Sequence, residues 1–212
     1  LSVTHALRRT ANDFAKSLTE LLNGTVCDGA RVSAYTWADG RVTVGTALNR
    51  MGRSNPVPLR AKGGVRPWLS VYARVFLDSD RHLAIHQSVY SLTCGATGGA
   101  EIFHYDFDRN KADYAEAHLQ ISGCNDALTD LLVDSGRPKA GLERLHLPVG
   151  GRRFRPSVED IVEFLIDERL VEAKPDARDV LHRSRGRYHQ IQLRAAVRSR
   201  PDIAADALPV SR

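Results

Sequence analysis

The sequence predicts an α+β fold: an N-terminal helix, a curved antiparallel sheet or partly open barrel, and C-terminal helices. Three observations carry this. Apolar residues recur at helical spacing over residues 4–23. Between residues 69 and 149, apolar and polar residues alternate with period two in successive segments joined by short polar turns. Helical spacing then returns after Ser157. The 212 residues suffice for one substantial domain. Residues 1–151 are assigned to a helix plus antiparallel sheet, and residues 152–212 to a helical extension packed on that sheet as one compact unit.

The first helix carries Leu7, Ala11, Phe14, Leu18 and Leu21 on one stripe, with Thr4 as candidate N-cap and Asn23-Gly24 as the stop. Arg31 to Trp37 and Arg41 to Leu48 flank an Asp39-Gly40 turn and form a hairpin. Residues 51–67 are rich in glycine and proline and read as an irregular basic loop with no phosphate-cradling glycine motif. Trp68 to Leu77 alternates cleanly, with Leu69, Val71, Ala73, Val75 and Leu77 inward. Leu83 to Thr93 pairs with it across a short turn. A short helix is expected over Asn125–Val133, then a strand over Glu143–Val149. Ser157 with Asp160 three residues on is a capping-box analogue, opening a helix that Lys174-Pro175-Asp176 breaks. Residues 176–199 form the last helix, Pro201 ends or kinks it, and the tail from Ala204 is expected to fray.

No apolar run approaches the roughly 18 residues of a transmembrane span, and no leader pattern opens the sequence. Cys27, Cys94 and Cys124 are odd in number, scattered and without CxxC spacing, which suits reduced thiols rather than a disulfide frame or a zinc knuckle. These features predict a cytoplasmic protein with no cofactor. The net charge of +5 permits a polyanionic partner without demanding one.

Chemistry concentrates in residues 102–122. Phe103, Tyr105 and Phe107 share one face of a strand and His104, Asp106 and Asp108 the other. Ala117, Leu119 and Ile121 likewise oppose His118, Gln120 and Ser122. An antiparallel hairpin that buries the apolar sets brings the polar sets together. The expected third strand adds His146 and Arg144 beside Leu145, Leu147 and Val149. His118 and His146 are then candidate base and acid, Asp106 an orienting carboxylate, His104 a fourth member, and Gln120 or Arg144 a phosphate ligand. Such a set could cut RNA without a metal. A metal site on His104, Asp106 and His118 is a weaker alternative, because His104 and Asp106 share one strand. The ordinary alternative is a hydrogen-bonded polar layer.

Arginine supplies the second signal. Arg152, Arg153 and Arg155 precede one helix, and Arg178, Arg183, Arg185, Arg187, Arg194, Arg198 and Arg200 crowd the last. They could contact phosphates or an acidic protein. They could also simply pair with Glu159, Asp160, Glu163, Asp167 and Glu168. His86-Gln87-Ser88-Val89 matches the strand motif of two-histidine phosphoesterases, but the second copy would have Gln120 in place of serine or threonine. Arg183 and His189 share the spacing of the HEPN ribonuclease motif, on a chain that is not all-helical.

Phe103-His104-Tyr105-Asp106 and Ala117-His118-Leu119-Gln120, with Leu145–Gly151 and Ser157–Ile166 downstream, resemble a bacterial β-rich family that has no assigned mechanism. Similar proteins are often encoded in toxin–antitoxin-like pairs. The resemblance implies a toxin-like effector acting on RNA, possible RNA and a cognate antitoxin-like protein as partners, and metal-independent ribonuclease activity as the leading expectation. A non-catalytic nucleic-acid-binding or regulatory module, or an adaptor using the basic helix, are the other two.

Overall fold

The computed structural model describes residues 3–95, 99–123, 142, 145–150 and 155–208. Among these residues, eight strands form one open antiparallel sheet. They are β1 (Val32–Thr36), β2 (Val42–Thr46), β3 (Val57–Pro58), β4 (Pro67–Leu77), β5 (Leu83–Cys94), β6 (Ala100–Asp108), β7 (Ala117–Ile121) and β8 (Leu147–Pro148). Their order is β1-β2-β4-β5-β6-β7-β8, with β3 added against β4. Register shifts at Arg74/Val75 and at Leu92/Thr93 mark bulges, which bend a sheet and increase its twist.

Pairing register divides the sheet into two chemically different faces. Val71, Tyr90, Tyr105 and Leu119 fall in one cross-strand row, and Leu69, Leu92, Phe103 and Ile121 in another. These rows face the helices. The alternate row, Gly45–Tyr72–Val89–Asp106–His118–Pro148, faces the other way and crosses six strands in unbroken register. The period-two reading of β4, β6 and β7 therefore holds residue by residue.

Among the described residues four helices accompany the sheet: α1 (Val3–Thr25), α2 (Val158–Asp167), α3 (Ala177–Ser199) and α4 (Pro201–Ala207). One hydrophobic cluster joins Leu18, Leu21 and Leu22 of α1, Leu69, Val71 and Leu92 of the sheet, Ile161 and Leu165 of α2, and Leu181 of α3. Each fully buried leucine contributes about 1.5–3 kcal/mol relative to exposure. Polar ties set the seams. Thr19 Oγ1 accepts from Val32 N–H at 3.0 Å, fastening α1 to β1. Lys174 reaches Asp28 at 3.2 Å and donates to the Asn23 carbonyl at 2.7 Å, tying the segment before α3 to the end of α1. Gly24 lies against Val180, where an added Cβ would stand 3.1 Å from a Val180 methyl.

Several boundaries differ from expectation. The capping box of Ser157 and Asp160 is present in both directions. Thr4, by contrast, lies inside α1 rather than capping it, and the helix runs one residue past Gly24 to Thr25, whose Oγ1 donates to the Leu21 carbonyl at 2.7 Å. Residues 57–58 of the expected irregular loop pair with β4. Pro201 ends α3 but opens α4, occupying the first helical turn, where its missing N–H is tolerated. Of the strand expected over Glu143–Val149, residues 143 and 144 lie outside the described residues, and within 145–149 Leu147 and Pro148 pair with β7. The helix expected over Asn125–Val133 lies outside the described residues.

Candidate functional site

The site grows from the β6–β7 hairpin. Asp106 and His118 are direct cross-strand partners, as are His104 and Gln120. The connecting loop is held by Asp108 N–H donating to the Glu116 carbonyl at 2.8 Å and by Arg109 N–H donating to the His86 carbonyl at 3.0 Å. It folds Tyr114 back onto the sheet. There the Tyr114 ring meets the His118 imidazole edge-on at 4.8 Å and stacks on the His146 imidazole at 3.8 Å between centroids. His118 and His146 meet at 4.6 Å, closing a three-ring cluster. The Lys111 ammonium lies 4.4 Å above the Tyr114 ring. Its hydrogen bond to Tyr114, ahead of any carboxylate, holds that ammonium above its usual range.

His118 is 2% exposed, so it forms the back wall of the cluster. Its Nδ1 donates to the Ala115 carbonyl at 3.1 Å, which leaves the lone pair of the neutral ring on Nε2. That Nε2 stands 3.9 Å from Asp106 Oδ2, beyond hydrogen-bond reach. Nε2 of His118 and Oδ1 of Asp106 are both buried with no hydrogen-bond partner among the described residues. Unpaired buried polar atoms are costly, so these two atoms call for a partner beyond the described side chains. His146, Tyr114 and Lys111 are only partly buried and are the groups a substrate would meet.

The structure thus gathers His118, His146 and Asp106 and sets His104 apart. His104 Nδ1 bonds Glu101 at 2.7 Å and Nε2 bonds Gln120 at 2.8 Å, so both ring nitrogens are occupied and the pair forms a satisfied polar rung. Gln120 is committed there and is not placed as a phosphate ligand. Arg144, Arg152 and Arg153 lie outside the described residues. Among the described residues, no three His, Cys, Asp or Glu side chains are grouped as a metal site would need, which removes the His104–Asp106–His118 triad.

The arginines lie on the other side of the sheet, with the helices. Arg185 is pinned by Glu163 at 2.7 Å and Asp160 at 3.2 Å, and Arg178 by Asp167. Arg155 lies 4.2 Å over the Phe107 ring. Arg183 and Arg187 border a groove of about 360 Å3 between α1 and α3, while Arg194 is exposed farther along. Ion pairing with the acidic α2 accounts for the inner arginines and leaves Arg183, Arg187 and Arg194 outward. The basic helix and the histidine cluster are separate features, and not the two halves of one site.

Tyr114 and Lys111 were not legible as site residues, because they stand in a hairpin loop without periodicity. A second feature was equally hidden. Trp37, Gly52, Arg53, Ser54, Ser70, Tyr72 and Val89 line a depression of about 400 Å3 on the histidine side of the sheet. His86, the residue of the phosphoesterase-like motif, is bonded to Arg74 at 2.8 Å beside the β4–β5 bulge. No helix among the described residues is long and apolar enough to cross a membrane.

The chain matches no protein-family model, no curated protein and no solved structure. The chemistry of the site itself must therefore carry any functional conclusion.

Proposed function

We propose that this protein is a cytoplasmic toxin-like effector that cleaves RNA by metal-independent acid–base catalysis at the Tyr114–His118–His146 cluster, restrained by an antitoxin-like protein. The observation supporting this is the stack of two proton-carrying rings, His146 on Tyr114, backed by the buried imidazole of His118 and the carboxylate of Asp106. His146 takes the proton of the 2′-hydroxyl, whose oxygen attacks the adjacent phosphorus. The bond from phosphorus to the 5′-oxygen breaks, and that oxygen takes a proton from the Tyr114 hydroxyl. A 2′,3′-cyclic phosphate and a 5′-hydroxyl result. Lys111 beside Tyr114 stabilises charge on the phosphoryl oxygens. His118, buried and bonded to the Ala115 carbonyl, is a positioning residue that holds both rings. The role first expected of it, direct proton transfer to substrate, passes to His146 because of that burial.

Controlled expression in cells, with and without the neighbouring gene, tests this reading. Growth arrest with loss of intact RNA, relieved by the neighbour and by His146→Ala, is expected. Normal growth under full expression of folded protein would overturn it. A second reading, a non-catalytic binding module or adaptor, is favoured by the outward Arg183, Arg187 and Arg194. It predicts salt-dependent binding that survives His146→Ala.

A further inference from the structure

The row Gly45–Tyr72–Val89–Asp106–His118–Pro148 links the two features of the open sheet face. At one end Tyr72 and Val89 line the depression with Trp37 and Arg53. Toward the other, His118 carries the ring cluster. Tyr72 and His118 are three strand spacings apart on this row, roughly 14 Å at about 4.8 Å per spacing. That is the span of a few nucleotides.

The depression is built rather than incidental. Ser54 bonds Ser70 Oγ at 3.0 Å and the Val71 carbonyl at 2.9 Å, pinning the β2–β3 loop over the sheet. Gly52 has φ +64, a left-handed conformation, and a Cβ there would fall 2.7 Å from the Tyr35 ring and 2.9 Å from the Trp37 ring. The loop backbone therefore lies directly on those rings. Tyr35 in turn meets Trp37 edge-on at 5.3 Å, fixing the indole at the rim. The result is a shallow site with aromatic side chains and an exposed Arg53 at its edge. The Arg41 guanidinium lies 5.7 Å from the Trp37 ring centroid, so a base enters beside it against the aromatic side chains, and the Arg41 and Arg53 guanidiniums take its phosphate. Arg50 adds a second exposed cation on the same loop. A duplex keeps its bases stacked on each other and cannot offer one to such a site.

We infer that the ligand of this face is single-stranded RNA laid across the strands, with one base in the Trp37–Tyr72 depression and the phosphate a few nucleotides away at His146. This rests on the proposed RNA reading and names its substrate class. It also explains why the catalytic cluster stands on the side of the sheet away from the basic helix.

The test uses the full chain, a labelled single-stranded oligonucleotide with 2′-O-methyl groups that cannot be cleaved, and the matching duplex. Binding by anisotropy should favour the single strand. Trp37→Ala should weaken it about tenfold or more, the loss of one stacked base, and Trp37→Phe should restore most of it. With Trp68→Phe as background, Trp37 becomes the sole tryptophan and its emission should quench on binding. Equal affinity for the duplex, unchanged binding in Trp37→Ala, or loss only when Arg187 and Arg194 are made glutamate would each overturn the inference. Cleavage of natural RNA separates the two claims. RNA cut by Trp37→Ala with an unchanged KM sinks the platform and leaves the chemistry. Strong quenching with no cleavage of natural RNA sinks the chemistry and leaves the platform.

Discussion

Replacing His118 with glutamine removes an imidazole whose surroundings allow its contribution to be counted. The ring makes one hydrogen bond, to the Ala115 carbonyl at 3.1 Å, worth about 0.5–1.5 kcal/mol. Its edge contacts with Tyr114 at 4.8 Å and His146 at 4.6 Å are worth about 0.5–1.5 kcal/mol each. The summed loss is about 1.5–4.5 kcal/mol, and a glutamine amide that reaches Asp106 returns part of it. A net destabilisation of about 1–3 kcal/mol follows, a fall in Tm of about 2–12 °C for a chain of this size. The burial of the ring is the cause of this loss. Urea titration at neutral pH with thermal melting reads it. Asp106→Asn is the companion variant, and should change stability by less than about 0.5 kcal/mol because its buried Oδ1 has no partner to lose. Wild-type stability in His118→Gln would refute the interlocked cluster, and a large loss in Asp106→Asn would show a structural polar layer in its place.

Asp28 is held below the usual carboxylate range first by its hydrogen bond to Lys174 and then by Arg60. Its contribution is present above the unfolded value of 3.8 and lost as pH falls through the lower folded value. Asp28→Asn should therefore lower Tm at pH 7 and match the wild type in strong acid, by calorimetry. Burial pushes the Tyr188 hydroxyl up to about 12, so its contribution is complete below its ordinary 10.0 and lost as pH rises toward 12. Tyr188→Phe should flatten the alkaline end of the stability curve between those values. Gly24→Val should destabilise by about 1–3 kcal/mol by crowding Val180, read as a shifted denaturation midpoint with unchanged slope. Burial also pushes the Cys27 thiol up to about 12, so in the folded protein it should resist alkylation at pH 8, as mapped by mass spectrometry.

The sheet was legible because its alternation is strict where one face is buried. A one-residue slip would have turned Phe103, Tyr105 and Phe107 to the open side, so the pattern itself specified register. The meeting of Asp106 and His118 followed from the same logic. What the sequence hid was depth and company. Periodicity places His118 on the polar face but cannot say that Tyr114 and His146 would cover it. Nor can it show that His146 would reach the cluster from the position just before β8. The arginines misled for a related reason. Their clustering along the chain is genuine, yet Arg178 and Arg185 are consumed by α2, and α3 packs on the opposite side of the sheet from the imidazoles. The Trp37 depression depends on a glycine in a left-handed conformation and a serine bonded across two strands, contacts with no one-dimensional signature.

The most direct test of the central claim is product analysis of a 5′-labelled single-stranded RNA incubated with the purified protein in excess EDTA. The account predicts fragments ending in 2′,3′-cyclic phosphate, formed by the wild type and about 100- to 10,000-fold more slowly by His146→Ala. Intact RNA after prolonged incubation with folded wild-type protein, or equal cleavage by His146→Ala, would contradict it.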